Sequence, residues 1–367
     1  VHAAPAAPLG YGSSSLIAKV SQQRSSRVHI PDGYLSPQTC AVALAVAVPA
    51  VAVASAKVVR QVRGRAIPKL AMLSAFSFLV MMFNLPVPDG TSAHAVGSVL
   101  IAIVMGLPAA VVATAVALLF QALVFGDGGV LAYGANVVNM ALIMPLVGLA
   151  VFRLVAGGRD APLLRRTIAA AAGGYVGIVA AGIAVGIQLG IQPLLFSDAA
   201  GVPLYNPYPL SVTVPAMALA HFVIAGPAEA VLGAAGYAFW ARTGQLTDAA
   251  PGHRAGLLGN PGLVSLGVLA VMLLLTPLGL LAPGTAFGEW DSGDLAGQLG
   301  SLPAGLAAWS QWFTGAVLPD YGLGGRIDPM LGYWLSALVG SLLIAGFTFA
   351  VFWLAGRLRH RPEVRTE

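Results

Sequence analysis

Two histidines in this sequence stand where an imidazole can do chemistry. His29 lies in VHIPDGYLSPQTC (28–40) and His94 in FNLPVPDGTSAHAVG (83–97), each a turn-rich stretch just ahead of an apolar run. A lone histidine at such a boundary is more often structural. A pair, in a chain that is only 9% charged, points to metal ligation. With residue 28 as the first residue, its α-amine, the backbone nitrogen of His29 and the His29 Nδ1 close fused chelate rings. His94 then supplies a fourth nitrogen. A flat all-nitrogen set suits Ni²⁺ or Cu²⁺ and accepts Co²⁺, whereas zinc prefers a tetrahedron and Mg²⁺ or Ca²⁺ prefer oxygen. Asp32, Asn84 and Thr91 are the groups expected to orient these ligands, with turn and cap chemistry as the competing account.

The elements that position these loops follow from composition. Of 367 residues, 57% are hydrophobic and only 9% charged, against the roughly 25% charged residues of a soluble domain. Nine apolar segments are expected to be helical, at 38–56, 70–85, 95–107, 108–125, 134–154, 167–191, 214–240, 261–282 and 331–355. Most reach the roughly 20 residues that span a bilayer. The third is short and meets the fourth at Gly106-Leu107-Pro108, which predicts a bent or re-entrant pair. The fold class is therefore all-α and polytopic: a seven-helix domain, then a two-helix membrane domain with a long outer loop at 283–330. The divisions are an extension (1–27), a membrane domain (28–240), a polar linker (241–260) and a two-span unit (261–367). The single cysteine, Cys40, excludes an internal disulfide and a cysteine-based metal cluster.

Charge orients the spans. Lys57, Arg60, Arg63, Arg65 and Lys69 follow the first segment, and Arg153, Arg159, Arg165 and Arg166 the fifth. Arg242 and Arg254 follow the seventh, and Arg357, Arg359, Arg361 and Arg365 the ninth. All fall on one side, which the positive-inside rule makes cytoplasmic. The other side receives Arg326 with Asp32, Asp89, Asp127, Asp198, Glu289, Asp291, Asp294, Asp320 and Asp328, an acidic outer face suited to a cation.

Residues 1–27 carry Lys19, Arg24 and Arg27 and hold no apolar core, so they do not read as a secretory signal. We expect the mature chain to start at Val28, through a GUG codon that places methionine there; a disordered extension is the alternative.

Two further polar groups lie among the spans. QALVFGDGGVLAYGANVVNM (121–140) sets Gln121, Asp127, Asn136 and Asn139 among glycines, which suits close packing or support of the metal loops, with Asn136 the supporting candidate. His221 and Glu229 lie eight apart in the seventh segment and read as interhelical hydrogen-bonding groups. A stand-alone proton-coupled transporter or channel would use them as a relay. No lysine follows a glycine, so there is no phosphate-binding loop, and there is no HExxH. An intramembrane metalloenzyme lacks a water-activating motif.

Four stretches together resemble one family: HIPDGYLSPQTC, MMFNLPVPDGTSAHAVG, QALVFGDGGVLAYGANVVNM and QPLLFSDAAGVPLYNPYPLSVTVPAMALAHFVIAGPAEA. They are similar to the CbiM/NikM family, the nickel/cobalt substrate-capture components of energy-coupling-factor ABC transporters. The part from 261 onward, with LLLTPLGLLAPGTAFGEW and LPDYGLGG, resembles the PDGLE-type accessory subunit. The resemblance implies a square-planar nitrogen site made by the amine of residue 28 (Val28, read as Met), the amide and imidazole of His29, and His94. It implies Ni²⁺ or Co²⁺ as the transported substrate, with nickel favoured, and no organic cofactor. It also implies partners, a transmembrane coupling protein and cytoplasmic ATPases, and a multi-pass protein of a bacterial or archaeal plasma membrane. The extension ahead of residue 28 departs from the family pattern.

Overall fold

The computed structural model describes residues 29–359 apart from 63, 65, 88–91, 159, 244–260, 283–286, 289, 291 and 324–325. In chain order the helices are α1 (Pro37–Gln61), α2 (Ala66–Met81), α3 (Ser98–Met105), α4 (Leu107–Phe125), α5 (Tyr133–Ala156), α6 (Leu163–Leu195), α7 (Leu210–Arg242), α8 (Gly262–Leu281) and α9 (Pro329–Leu358). All but α2 and α3 are long and apolar enough to cross a membrane. Each expected apolar segment is thus a helix, and the chain is a multi-pass membrane protein.

The bounds differ by up to five residues, and α3, expected at 95–107, has 8 residues and starts at Ser98. Residues 94–97 are irregular because Glu229, on α7, accepts the backbone N–H of Val96 at 2.8 Å and of Gly97 at 3.1 Å. A buried carboxylate thereby satisfies the orphan donors where α3 begins. The α3–α4 pair bends at Gly106, whose φ of 89° few residues but glycine tolerate. In α1 Ala47, Ala54 and Val58 are buried, while Ala41, Ala45, Ala52 and Ala56 are exposed together with Val42, Val46, Val48 and Val53, as expected of a helix with one face toward lipid.

Helix α6 packs between α5 and α7, α1 lies against α4 and α5, and α9 runs along α2. Backbone bonds gather the loops of one end. Gly129 N–H donates to Ile30 O at 2.9 Å, Asn206 N–H to Tyr34 O at 3.0 Å and Leu306 N–H to Leu204 O at 2.9 Å. Strands β1 (Leu85–Pro86) and β2 (Ser92–Ala93) pair antiparallel and pin the base of the His94 loop. The α8–α9 connection, with short helices Ser292–Leu299 and Ala304–Trp309, belongs to the same end. The opposite end holds a cavity of about 620 Å³ whose lining includes Gln61, Lys69, Arg153 and Arg166.

Candidate metal site

His29 and His94 meet. Their ring centroids lie 5.1 Å apart at an interplanar angle of 60°. Both side chains are buried, His29 at 2% and His94 at 9% exposure. His94 Nδ1 is 2.8 Å from Ala95 O. A carbonyl only accepts, so Nδ1 carries the proton and the lone pair of the neutral ring is on Nε2. His29 Nδ1 is 3.0 Å from Asp127 Oδ1. By the same logic the lone pair of the neutral His29 ring is on Nε2, a buried atom without a hydrogen-bond partner among the described residues. Buried polar atoms are nearly always paired, and an exception asks for an ion or a water. The two rings line one small cavity of about 60 Å³, with Asn136, Met140, Met144 and His221 on its wall.

The loops are built to hold these rings. Asp32 accepts the amides of Val130 at 3.1 Å, Leu131 at 2.9 Å and Ala132 at 3.1 Å, where α5 begins. Burial raises its pKa, against the downward pull of the three amides. Gly129 is required here, because a Cβ would collide with the Asp32 carboxylate. Asn136 pairs with both sides of Ile30: its Oδ1 accepts the amide at 3.2 Å and its Nδ2 donates to the carbonyl at 3.2 Å. The residue beside His29 is thereby fixed on both edges.

The other candidates are distributed differently. Asn84 is buried at the end of α2, its backbone beside Gly279 of α8, and its Oδ1 has no hydrogen-bond partner among the described residues. Val28 and Thr91 lie outside the described residues, as do His2, His253 and His360. His221 Nδ1 is 2.7 Å from Met217 O, within its own helix. Glu229 binds the α3 amides, so no hydrogen bond joins it to His221 among those described.

Asp127 is the group that sequence reasoning left unassigned between packing and support. Its Oδ1 faces His29, and its Oδ2 accepts the Tyr321 hydroxyl at 2.5 Å and Gln121 Nε2 at 3.4 Å. The GDGG run that carries it was visible, but its partner lies 98 residues away.

A buried imidazole pair at one end of a helical bundle, with a carboxylate holding one ring, defines a membrane protein equipped for a soft or borderline cation. The family model described as the cobalt uptake substrate-specific transmembrane region, CbiM, matches residues 29–245, and the PDGLE domain matches residues 262–357. The chain belongs to the CbiM family. It is 44% identical over 335 residues, 87% of this chain and 96% of the relative, to the fused nickel transport protein NikMN of Rhodobacter capsulatus. It is 36% identical over 132 residues, 35% of this chain and 53% of the relative, to the cobalt transport protein CbiM of Ruminiclostridium cellulolyticum. The crystal structure of a truncated transition metal transporter aligns with a TM-score of 0.53 at 50% identity, covering 57% of this chain and 95% of that one. These relatives are transport proteins, not enzymes.

Proposed function

We propose that the chain captures Ni²⁺ or Co²⁺, with nickel preferred, as the substrate-binding membrane component of an energy-coupling-factor importer. The observation that supports this best is the buried His29–His94 pair, with ring centroids 5.1 Å apart. The proposed ligands are the amine of residue 28, the amide and imidazole of His29, and His94. In the structure Nδ1 of His29 faces Asp127. Chelation through Nδ1 therefore goes with a turn of the ring that hands the carboxylate to the Nε2–H. Asp127 serves as outer partner in that arrangement too.

The loop end, rich in carboxylates, faces outside; the end lined by Lys69, Arg153 and Arg166 faces the cytoplasm. ATP hydrolysis comes from separate ATPases through a transmembrane coupling protein, since the chain has no phosphate-binding loop. Metal uptake into vesicles carrying the chain with and without those partners tests this. Uptake that needs the ATPases and disappears in His29→Ala and in His94→Ala is expected. Uptake that persists without them but collapses with a protonophore contradicts it, and so does transport unaffected by either substitution.

A further inference from the structure

We propose that Tyr321, from the loop joining α8 to α9, is a positioning residue of the metal site and acts on His29 through Asp127. The inference rests on His29 being a metal ligand. Its structural basis is a chain of short contacts between two parts of the sequence that match different families. The Tyr321 hydroxyl donates to Asp127 Oδ2 at 2.5 Å, and Asp127 Oδ1 lies 3.0 Å from His29 Nδ1. Gln121 Nε2 donates to the tyrosine oxygen at 3.0 Å, closing the group from α4.

The loop is shaped to deliver this side chain. Leu318 N–H donates to Val124 O at 2.8 Å, which anchors the loop to the end of α4. Asp320 and Tyr321 follow with φ of 54° and 58°, a left-handed conformation uncommon for two successive non-glycine residues. Such outliers gather where the surrounding structure holds a side chain to a task. The tyrosine is 2% exposed. Its ring stacks on Phe125 at a centroid distance of 4.9 Å and meets Tyr333 of α9 edge-on at 5.5 Å. Burial, reinforced by the Asp127 charge, holds the phenol well above its usual pKa, so it stays a donor.

A carboxylate is free to rotate about its bond to Cβ and to offer either oxygen. With Oδ2 engaged by a phenol and an amide, Oδ1 is the oxygen left to meet the imidazole. Rotation of the carboxylate would also rotate the ring that it holds. The C-terminal unit thereby sets the aim of a ligand that belongs to the capture domain.

The test is Ni²⁺ titration by calorimetry on the full chain in detergent, for wild type, Tyr321→Phe, Asp127→Asn and the double variant. Removing the direct outer partner of a ligating histidine typically weakens binding about ten- to hundredfold. Tyr321 stands one contact further out, so Tyr321→Phe is expected to weaken Ni²⁺ by about three- to tenfold, below that range. With Asp127→Asn already present, it should add less than about twofold, because its route is cut. The Ni²⁺ ligand-field absorption should shift in the single variant while the melting temperature holds. Affinity unchanged in Tyr321→Phe, or a loss just as large on the Asp127→Asn background, overturns the proposal. Phenylalanine keeps the stacked ring; if that variant does not fold, Gln121→Met unhooks the same oxygen from α4 and is judged by the same two outcomes. His29→Ala separates the layers of the argument. Binding that survives it removes the ligand assignment itself, whereas binding lost there but intact in Tyr321→Phe removes only the role of Tyr321.

Discussion

The loops that carry His29 and His94 are fastened by the same device, and the group between them is not. At one loop Asp32 accepts three consecutive amides, Val130 to Ala132, at the start of α5. At the other Glu229 accepts two, Val96 and Gly97, at the start of α3. Both carboxylates answer to backbone amides at or just ahead of a helix N-terminus, where the helix dipole also favours a negative group. The Asp127 carboxylate is engaged by three side chains: an imidazole, a phenol and a carboxamide. The contrast separates groups that hold the frame from a group that tunes a ligand. Buried acids are costly near lipid, and these three are kept for two different reasons.

Substitutions should split along that line. Among groups that are not themselves ligands, the largest effect on metal is expected at the tuning acid. Asp127→Asn weakens Ni²⁺ by about ten- to hundredfold, as loss of a ligand's outer partner does elsewhere, while the protein stays folded. Calorimetric titration alongside a melting curve measures both, and an affinity within twofold of wild type breaks the distinction. Glu229→Gln should do the reverse. It replaces one acceptor oxygen with a donor that confronts the α3 amides, and hydrogen bonds to a charged group are worth about 1.5–3 kcal/mol. A lower unfolding midpoint, with a smaller loss of affinity than Asp127→Asn causes, is the expected pattern. A stable protein that no longer binds metal would instead place Glu229 with Asp127. The smallest effect is expected at His221. It shares the cavity wall, yet its Nδ1 is already bonded to Met217 O. His221→Ala should leave Ni²⁺ affinity within about twofold; a loss as deep as that of Asp127→Asn shifts the site toward the membrane interior.

How much of this was legible in the sequence depends on the range of the interaction. The helices were, because apolar length is a local property, and so was the bend at Gly106-Leu107-Pro108. The charged ends were legible as well, since Lys69, Arg153 and Arg166 share one cavity lining. His29 and His94 stood out because histidines are few here. Their partners did not. Asp127 is 98 residues from His29 and Tyr321 is 194 from Asp127, so no spacing rule connects them. Glu229 and His221, eight apart, read as interhelical hydrogen-bonding groups, yet His221 bonds within its own helix and no hydrogen bond joins the two among the described residues. The carboxylate turns to α3, which sequence reading began three residues early, at 95. Asn84 does reach the His94 loop, because it precedes Leu85, which pairs with Ala93, and its backbone also lies beside Gly279 of α8.

X-ray absorption at the nickel edge of the Ni²⁺-loaded full chain is the most direct measurement of all. The expected spectrum is that of four nitrogen neighbours in a plane, with the outer-shell scattering of two imidazoles. Six oxygen-rich neighbours, or scattering from fewer than two imidazoles, would contradict the coordination by His29 and His94.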